Sequence, residues 1–314
     1  MKAVRFHAFG GPEVLSYEDV EQPTPGAGHV RIRVAATSFN DVDAAIRGGA
    51  MQGRIAVQLP HTPGIDVAGT IDALGPGVDA VAVGDRVVGF LPMTEAGAAA
   101  EHVIAPVEVL TGAPRRIPLA GLAALPLVGL TAWQALFEHG NLTAGQRVLI
   151  NGAGGAIGWY AVQLAKETRA QVVATASPRS AWRVEAAGAD EVVDRPLTDV
   201  TAAISGPVDL VVNLAPATPE QLAALISLVR DGGALVGTTG WKPALRDEER
   251  GVRGIDLVVR SDADQLADLV ARVSTGELVV DVTQQVALAD LPALHARAAT
   301  GRLPDKVLVC PAGA

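Results

Sequence analysis

Apolar residues follow two different rhythms in this chain, and the change falls near residue 119. Before it, Met1–Phe6, His29–Ala36, Asp66–Leu74 and Arg86–Phe90 are short apolar or alternating runs, separated by turn signals at Pro23–Gly28, Gly75–Gly77 and Gly84–Asp85. Such runs bounded by Gly, Pro and Asp predict strands joined by turns. From Leu119 the texture becomes helical, and from Arg147 strands alternate with helices. The predicted strands are 147–151, 171–176, 208–214, 233–238 and 255–259, with helices near 156–168, 179–188 and 218–230. That alternation implies a parallel sheet wound with right-handed crossovers. After residue 260 come one helix, Ala263–Ser274, and short segments ending in Lys306–Cys310 that lack a βαβ rhythm and are expected to return to the first domain. The expected organisation is an α/β chain divided as 1–118, 119–260 and 261–314.

Within the alternating region, residues 147–166 read RVLINGAGGAIGWYAVQLAK. Val148, Leu149 and Ile150 form a buried strand, and Ala161, Val162, Leu164 and Ala165 give the following helix its apolar face. Between them Ala153, Gly155 and Gly158 stand at the spacing of a G-x-G-x-x-G dinucleotide fingerprint with alanine first. Only very small side chains permit the tight turn, the close approach to a pyrophosphate and the packing of helix on strand. The N–H groups of the turn and first helical residues, Ala156 and Ile157 included, then face the phosphates at the positive helix end. An NAD-binding site offers a carboxylate about 20 residues further on for the ribose hydroxyls. Here the place reads Ala174-Thr175-Ala176-Ser177-Pro178-Arg179. A 2′-phosphate would meet Ser177 as donor and Arg179 as a bidentate partner, with Arg183 and Arg195 assisting. The expected cofactor is NADPH.

Composition narrows the partners. A chain of 314 residues can bury two cores, and 49% hydrophobic with 19% charged residues suits a compact α/β protein. The net charge of −9 argues against nucleic acid or an anionic membrane as main partner. Cys310 is the single cysteine, so no intramolecular disulfide forms, and Met1–Gly10 lacks a signal-peptide core; a cytoplasmic location is expected. Residues 117–137 carry no charge, yet Pro118, Gly121, Pro126 and Gly129 interrupt them, which predicts buried helices rather than a membrane span. The six histidines are scattered, with no H-E-x-x-H and no cysteine pair, which disfavours a zinc centre. His61 and Asp66 flank the turn HTPGID, an arrangement expected to be a loop hydrogen bond. No G-x-S-x-G elbow supports a hydrolase.

Several segments together resemble one family: Met1-Lys2-Ala3-Val4 with Phe9-Gly10-Gly11-Pro12-Glu13-Val14, Pro63–Gly69 (PGIDVAG), Val83-Gly84-Asp85-Arg86-Val87, Leu125–Leu136 (LPLVGLTAWQAL), the AxGxxG turn, Ala187–Asp194 and, more loosely, Gly301–Val309. Over nearly its full length the chain resembles the zinc-free quinone oxidoreductase (ζ-crystallin-like) branch of the medium-chain dehydrogenase/reductases. The resemblance implies a GroES-like β-rich catalytic domain, rejoined by the C-terminal tail, and a Rossmann domain, with the active site in the cleft between them. It implies hydride transfer from NADPH to a quinone or an α,β-unsaturated carbonyl. By position, Asn40 stands where zinc enzymes carry a catalytic cysteine and would line the nicotinamide pocket. Thr131 would lie near the nicotinamide ribose and carboxamide. Asn213, Leu214, Thr238 and Thr239 would pass beneath the cofactor. Asn40 and backbone N–H groups are the expected oxyanion donors, with protonation by solvent, and Asp43 is a candidate proton relay.

The departures from the family also carry expectations. Relatives often have a tyrosine in the helix after the asparagine, where this chain reads Asp43-Ala44-Ala45-Ile46-Arg47-Gly48. Their G-x-Y-A-E-Y loop reads Gly97-Ala98-Ala99-Ala100-Glu101-His102. A tyrosine proton donor is therefore not expected, and the pocket should be wider. Two other readings stay open: a dedicated enone or enoyl reductase of a biosynthetic pathway, and a catalytically silent NADPH-binding protein. The strand near Ile255–Val259 is expected at a sheet edge, where pairing across a two-fold axis would give a homodimer.

Overall fold

The computed structural model describes residues 1–194, 200–238, 245–301, 303 and 306–311. They divide into two compact units: Met1–Leu127 with Ser261–Gly276 and Val280–Ala314, and Val128–Arg260 with Glu277–Val279. In the first unit the chain forms β1 (Lys2–Phe6), β2 (Leu15–Asp19), β3 (His29–Ser38), α1 (Asp41–Arg47), β4 (Asp66–Leu74), β5 (Arg86–Phe90), β6 (His102–Pro106) and β7 (Leu110–Gly112). Helix α2 (Pro126–Trp133) leads into the second unit, where β8 (Arg147–Asn151), α3 (Ala156–Glu167), β9 (Gln171–Ala176), α4 (Ala181–Ala186), β10 (Glu191–Asp194), α5 (Val200–Ala203), β11 (Val208–Asn213), α6 (Pro219–Ser227), β12 (Val229–Gly237) and β13 (Arg253–Asp256) follow. The tail supplies α7 (Ala263–Thr275), β14 (Gln284–Ala287), α8 (Leu291–Ala299) and β15 (Val307–Cys310).

The second unit is a parallel sheet ordered β10-β9-β8-β11-β12-β13. Val148, Leu149, Ile150, Val211 and Val212 are fully buried, as strands covered on both faces require. From β8 the chain winds first to one side and then, through β11, to the other. The crevice at the carboxyl ends of β8 and β11 is the switch point where ligands bind in such sheets. Several predicted boundaries moved: the strand expected at 255–259 runs Arg253–Asp256, and the helix expected near 179–188 spans Ala181–Ala186. Helix α6, started by the Thr218/Gln221 capping box, stops at Ser227, so β12 begins at Val229 where helix was expected. Strand β10 was not among the predicted strands; it is short and, among the described residues, pairs on its β9 side alone.

The first unit is built around β3, which pairs antiparallel with β4, β6 and β15. Its ten residues alternate facing, placing Val30, Ile32 and Val34 against Val67, Ile71 and Val87 in one core cluster. A second cluster joins Val4, Phe6, Phe39 and Ile46 to Leu288, Leu291, Leu294, Val307 and Val309, so both ends of the sequence share one core. Helix α8, not foreseen in the tail, buries Leu291, Leu294 and His295 at helical spacing. The boundary between units falls after Leu127, not after Pro118. The 3-10 turn Ala120–Ala124 packs on β3 and β4, and the Leu127 N–H donates to Asp66 at 2.8 Å. The uncharged 117–137 segment is thus broken into this turn, α2 and a π-helical stretch at Gln134–His139. Among the described residues no helix is long and apolar enough to cross a membrane.

Leu308, on β15, is 0% exposed. Replacing it with alanine should cost about 2–5 kcal/mol, read as a fall in the urea midpoint by far-UV circular dichroism. Val83→Ala, at a 61% exposed position, should stay within about 0.5 kcal/mol of the wild type in the same assay.

Candidate functional site

In the parallel-sheet unit the glycine turn between β8 and α3 behaves as its spacing demands. Gly152 takes φ +84°, a conformation favourable to glycine. A Cβ on Gly158 would collide with the Ala153 carbonyl, so only glycine lets α3 approach the turn this closely. At Gly155, the N-cap of α3, a Cβ would meet no heavy atom within 4 Å. The first-turn N–H groups, which have no acceptor inside the helix, therefore border an open cradle. An anionic diphosphate fits that donor set.

Polar side chains at the strand ends support this turn. Register sets Asn213 beside Asn151, and Asn151 Nδ2 donates to Asn213 Oδ1 at 2.7 Å. The Thr175 hydroxyl donates to Asn151 Oδ1 at 2.8 Å and accepts the Gly152 N–H at 2.9 Å. The backbone continues the link. The Leu214 N–H donates to the Asn151 carbonyl at 2.8 Å, and the Thr238 N–H to the Asn213 carbonyl at 3.1 Å. The sequence singled out Asn213, Leu214 and Thr238 but not Asn151 and Thr175, whose signal was a polar residue closing an otherwise apolar strand. Thr131 is buried on α2.

Beyond β9 the loop stays polar. Ser177 Oγ lies 3.0 Å from Ser180 Oγ, and Ser180 fills the space that a Cβ on Gly154 would need. This brings the Ser177–Ser180 loop against the glycine turn. Arg179 is exposed, and its carbonyl accepts the Trp182 indole N–H at 3.1 Å. Arg183 does not share that exposure: it is buried, with its guanidinium 5.6 Å from the centre of the Trp159 ring. Arg195 and Thr239 lie outside the described residues.

In the β-rich unit, Asn40 and Asp43 sit in a buried polar cluster together with Ser38, Asp66 and Lys306. Asn40 Nδ2 donates to Asp66 Oδ2 at 2.9 Å, and Lys306 Nζ donates to Asn40 Oδ1 at 2.7 Å. Lys306 Nζ stands 3.4 Å from Asp66 Oδ2, the Ser38 hydroxyl donates to the same oxygen, and the Leu127 N–H holds Oδ1. Asp43 accepts the Gly64 N–H at 2.9 Å and reaches back to the Asn40 N–H at 3.2 Å, closing the first turn of α1. Burial pushes the Asp43 carboxyl up to about 7, and the charge of Asp66 adds to the rise. The two backbone donors and Lys306 oppose it. Burial also holds Lys306 below the ordinary lysine range. The expected His61–Asp66 loop hydrogen bond is replaced by these contacts, while His61 packs on Phe6 with ring centres 5.3 Å apart. Asp66 and Lys306 were not foreseen as site residues. Among the described residues no three His, Cys, Asp or Glu side chains are grouped as metal ligands.

A family model of the alcohol dehydrogenase GroES-like domain matches residues 26–115, and one of zinc-binding dehydrogenases matches 187–309. The chain is 31% identical over 326 aligned positions to a chloroplast envelope quinone oxidoreductase homolog of Arabidopsis thaliana, covering 99% of this chain and 98% of that one. The chain belongs to the quinone oxidoreductase branch of the medium-chain dehydrogenase/reductases. Among solved structures it is similar to the quinone oxidoreductase of Coxiella burnetii, with a TM-score of 0.89, 27% identity and 99% of both chains covered. A mycobacterial protein solved in complex with NADPH is also similar, at TM-score 0.83 and 28% identity, covering 99% of this chain and 100% of that one. As a medium-chain oxidoreductase, it joins a GroES-like unit to a Rossmann unit of the kind that binds nicotinamide cofactors.

The branch's missing aromatics have a structural counterpart. Ala99, where relatives carry the first tyrosine of the G-x-Y-A-E-Y loop, is 0% exposed and packs in the core cluster with Val4, Phe6 and Phe39. Ala99 itself is enclosed by apolar packing, while Gly97, Ala100 and His102 of the same loop line a cavity.

The Asp43 carboxyl makes a pH prediction. Its folded-state value of about 7 exceeds the ordinary 3.8, so between those values the folded protein keeps a proton that the unfolded chain has released. The stability this contributes is full below pH 3.8 and is lost as the pH rises toward 7. Relative to Asp43→Asn, the wild type should lose about 1.4 kcal/mol per pH unit between pH 4 and 7. Urea titrations of both proteins at pH 5, 6 and 7 measure this; parallel curves would contradict it.

Proposed function

We propose that this oxidoreductase uses NADPH to reduce a quinone or an α,β-unsaturated carbonyl. The observation that carries the reading is the loop after β9, where Ser177 and exposed Arg179 replace the ribose-binding carboxylate beside the glycine turn. A carboxylate there would repel a 2′-phosphate, whereas a guanidinium pairs with it bidentately. In this reading Ala153, Gly155, Ala156, Ile157 and Gly158 form the diphosphate cradle. Thr131, Asn213, Leu214 and Thr238 line the course toward the nicotinamide.

When bound, NADPH supplies the hydride, and the protein supplies position and electrostatics. Hydride addition leaves negative charge on the acceptor oxygen, which must meet a fixed donor away from bulk water. Asn40 serves as that donor, because one hydrogen of its amide is committed to Asp66 at 2.9 Å while the other makes only long contacts to Ser38, 3.5 Å to the carbonyl and 3.4 Å to the hydroxyl, which an oxyanion would displace. Solvent supplies the proton that completes the reduced product, and Asp43, whose carboxyl burial pushes up to about 7, is the candidate to pass it inward and be reprotonated from solvent. The two tyrosines stand elsewhere, Tyr160 buried on α3 and Tyr17 half exposed on β2.

The protein acts in this reading as a homodimer. Strand β13 is the outer strand of the parallel sheet, and nearby Val258 is 71% exposed. An unpaired strand edge flanked by exposed apolar surface is commonly covered by a second copy. Light scattering at micromolar concentration should give twice the 32.2 kDa chain mass; the monomer mass would overturn the dimer.

The reductase reading is tested by cofactor oxidation against a panel of quinones, including 9,10-phenanthrenequinone, and enones, with NADPH and NADH in parallel. Turnover should favour NADPH, and Arg179→Ala should reduce that preference by about tenfold or more, as loss of a charged hydrogen bond implies. Tight NADPH binding with no turnover on any acceptor would point to a binding protein instead.

A further inference from the structure

Asn40 is held by two charged side chains that water does not reach: Asp66 is 0% exposed and Lys306 2%. The three residues form a triangle. Lys306 Nζ faces the amide oxygen at 2.7 Å, Asp66 Oδ2 faces the amide nitrogen at 2.9 Å, and the two charges stand 3.4 Å apart. An ammonium only donates and a carboxylate only accepts. A carboxamide turned over would set its NH2 against the ammonium and its oxygen against the carboxylate, losing both hydrogen bonds. The triangle therefore permits one orientation of Asn40. Asp66 cannot drift to relax it, because the Leu127 N–H fixes its other oxygen and the Ser38 hydroxyl holds the shared one.

Stability alone is a poor reason for this arrangement. The desolvation cost of a buried ion pair largely cancels its attraction, and an apolar replacement of similar volume often serves as well. What charges supply here and apolar groups do not is a direction for the amide between them. We propose that Lys306 and Asp66 are positioning residues for the reduction, clamping the Asn40 carboxamide so that its second N–H, which makes only long contacts to Ser38 at 3.4 and 3.5 Å, is presented to the acceptor oxygen. The inference rests on the reading of Asn40 as the donor to that oxygen.

The test is a double-mutant cycle in steady-state turnover, using NADPH and the best acceptor of the panel. Lys306→Met keeps the length of the side chain and removes its charge. It should lower kcat about 10- to 100-fold while leaving the KM for NADPH within twofold. In an Asn40→Ala background the same change should cost less than twofold, because a residue acting through Asn40 has nothing left to orient. A pair that merely staples the fold would lower kcat by the same factor in both backgrounds, and that result overturns the proposal. Where Lys306→Met yields too little folded protein, Asp66→Asn runs the same cycle with the same expectation; failure of both to fold would make the pair a structural staple. The controls separate the layers. Asn40→Ala turning over like the wild type removes the donor assignment and this inference with it, but leaves the reductase standing. A wild type inactive on every acceptor removes the reductase reading itself.

Discussion

A carboxylate withdrawn from water loses several kcal/mol of hydration that protein donors must replace. In this fold the requirement falls on Asp66, at the first position of β4. Its partners come from distant parts of the chain: Ser38 and Asn40 at the end of β3, Leu127 at the start of α2, and Lys306 just before β15. They meet through strand register. With Ala36 opposite Ala68, extending the β3–β4 register by two residues sets Ser38 opposite Asp66; with Leu308 opposite Ser38, extending the β3–β15 register sets Lys306 opposite Asn40. The return of the tail to the GroES-like unit is thus more than a topological habit. Without β15 seated on β3, the most buried carboxylate of this cluster would lose Lys306, the cation 3.4 Å from it.

The Rossmann unit meets its constraint differently, with neutral groups. Close approach of α3 to the turn requires glycine at 158, and the turn is then held by hydrogen bonds running Thr175–Asn151–Asn213 across the carboxyl ends of three adjacent strands. Each link uses a side chain with both donor and acceptor, so the row satisfies itself without charge. That leaves the positive end of α3 and the Ser177–Arg179 loop as the electrostatic features a phosphate would meet there.

Sequence was most informative where structure is local. Strand, glycine turn and helix at 147–166 are read from adjacent residues, and β8, β9 and the start of α3 fall where the pattern places them. It was least informative about Asp66 and Lys306, which lie 240 residues apart and become neighbours only through the pairing of β15 with β3. A faint signal existed: Lys306 is one of four lysines and directly precedes an apolar strand, an unusual place for a charge that must find a partner. The alanine run at 98–100 shows how little a missing side chain says by itself. Without coordinates, a missing aromatic suggests empty space, but Ala99 is closed over by Val4 and Phe6. Deletion of bulk and creation of a cavity are separate events, since neighbouring side chains decide whether the space collapses.

In the proposed reading, Asn40 is where the buried cluster bears on chemistry. A neutral amide is a modest hydrogen-bond donor, and its value to a developing oxyanion depends on being fixed beforehand in a site of low dielectric. An ammonium 2.7 Å from its carbonyl oxygen draws electron density along the amide and makes the N–H groups on the far side better donors, the cooperativity expected of linked hydrogen bonds in a dry environment. Asp66 takes one of those N–H groups, and the other lies at long range from Ser38, 3.5 Å from its carbonyl and 3.4 Å from its hydroxyl. Asp43 fixes the Asn40 backbone from the opposite side, so that side chain and main chain are held independently. A lone asparagine at the end of β3 would be a flexible polar residue; between Lys306 and Asp66 it becomes a donor with a single orientation.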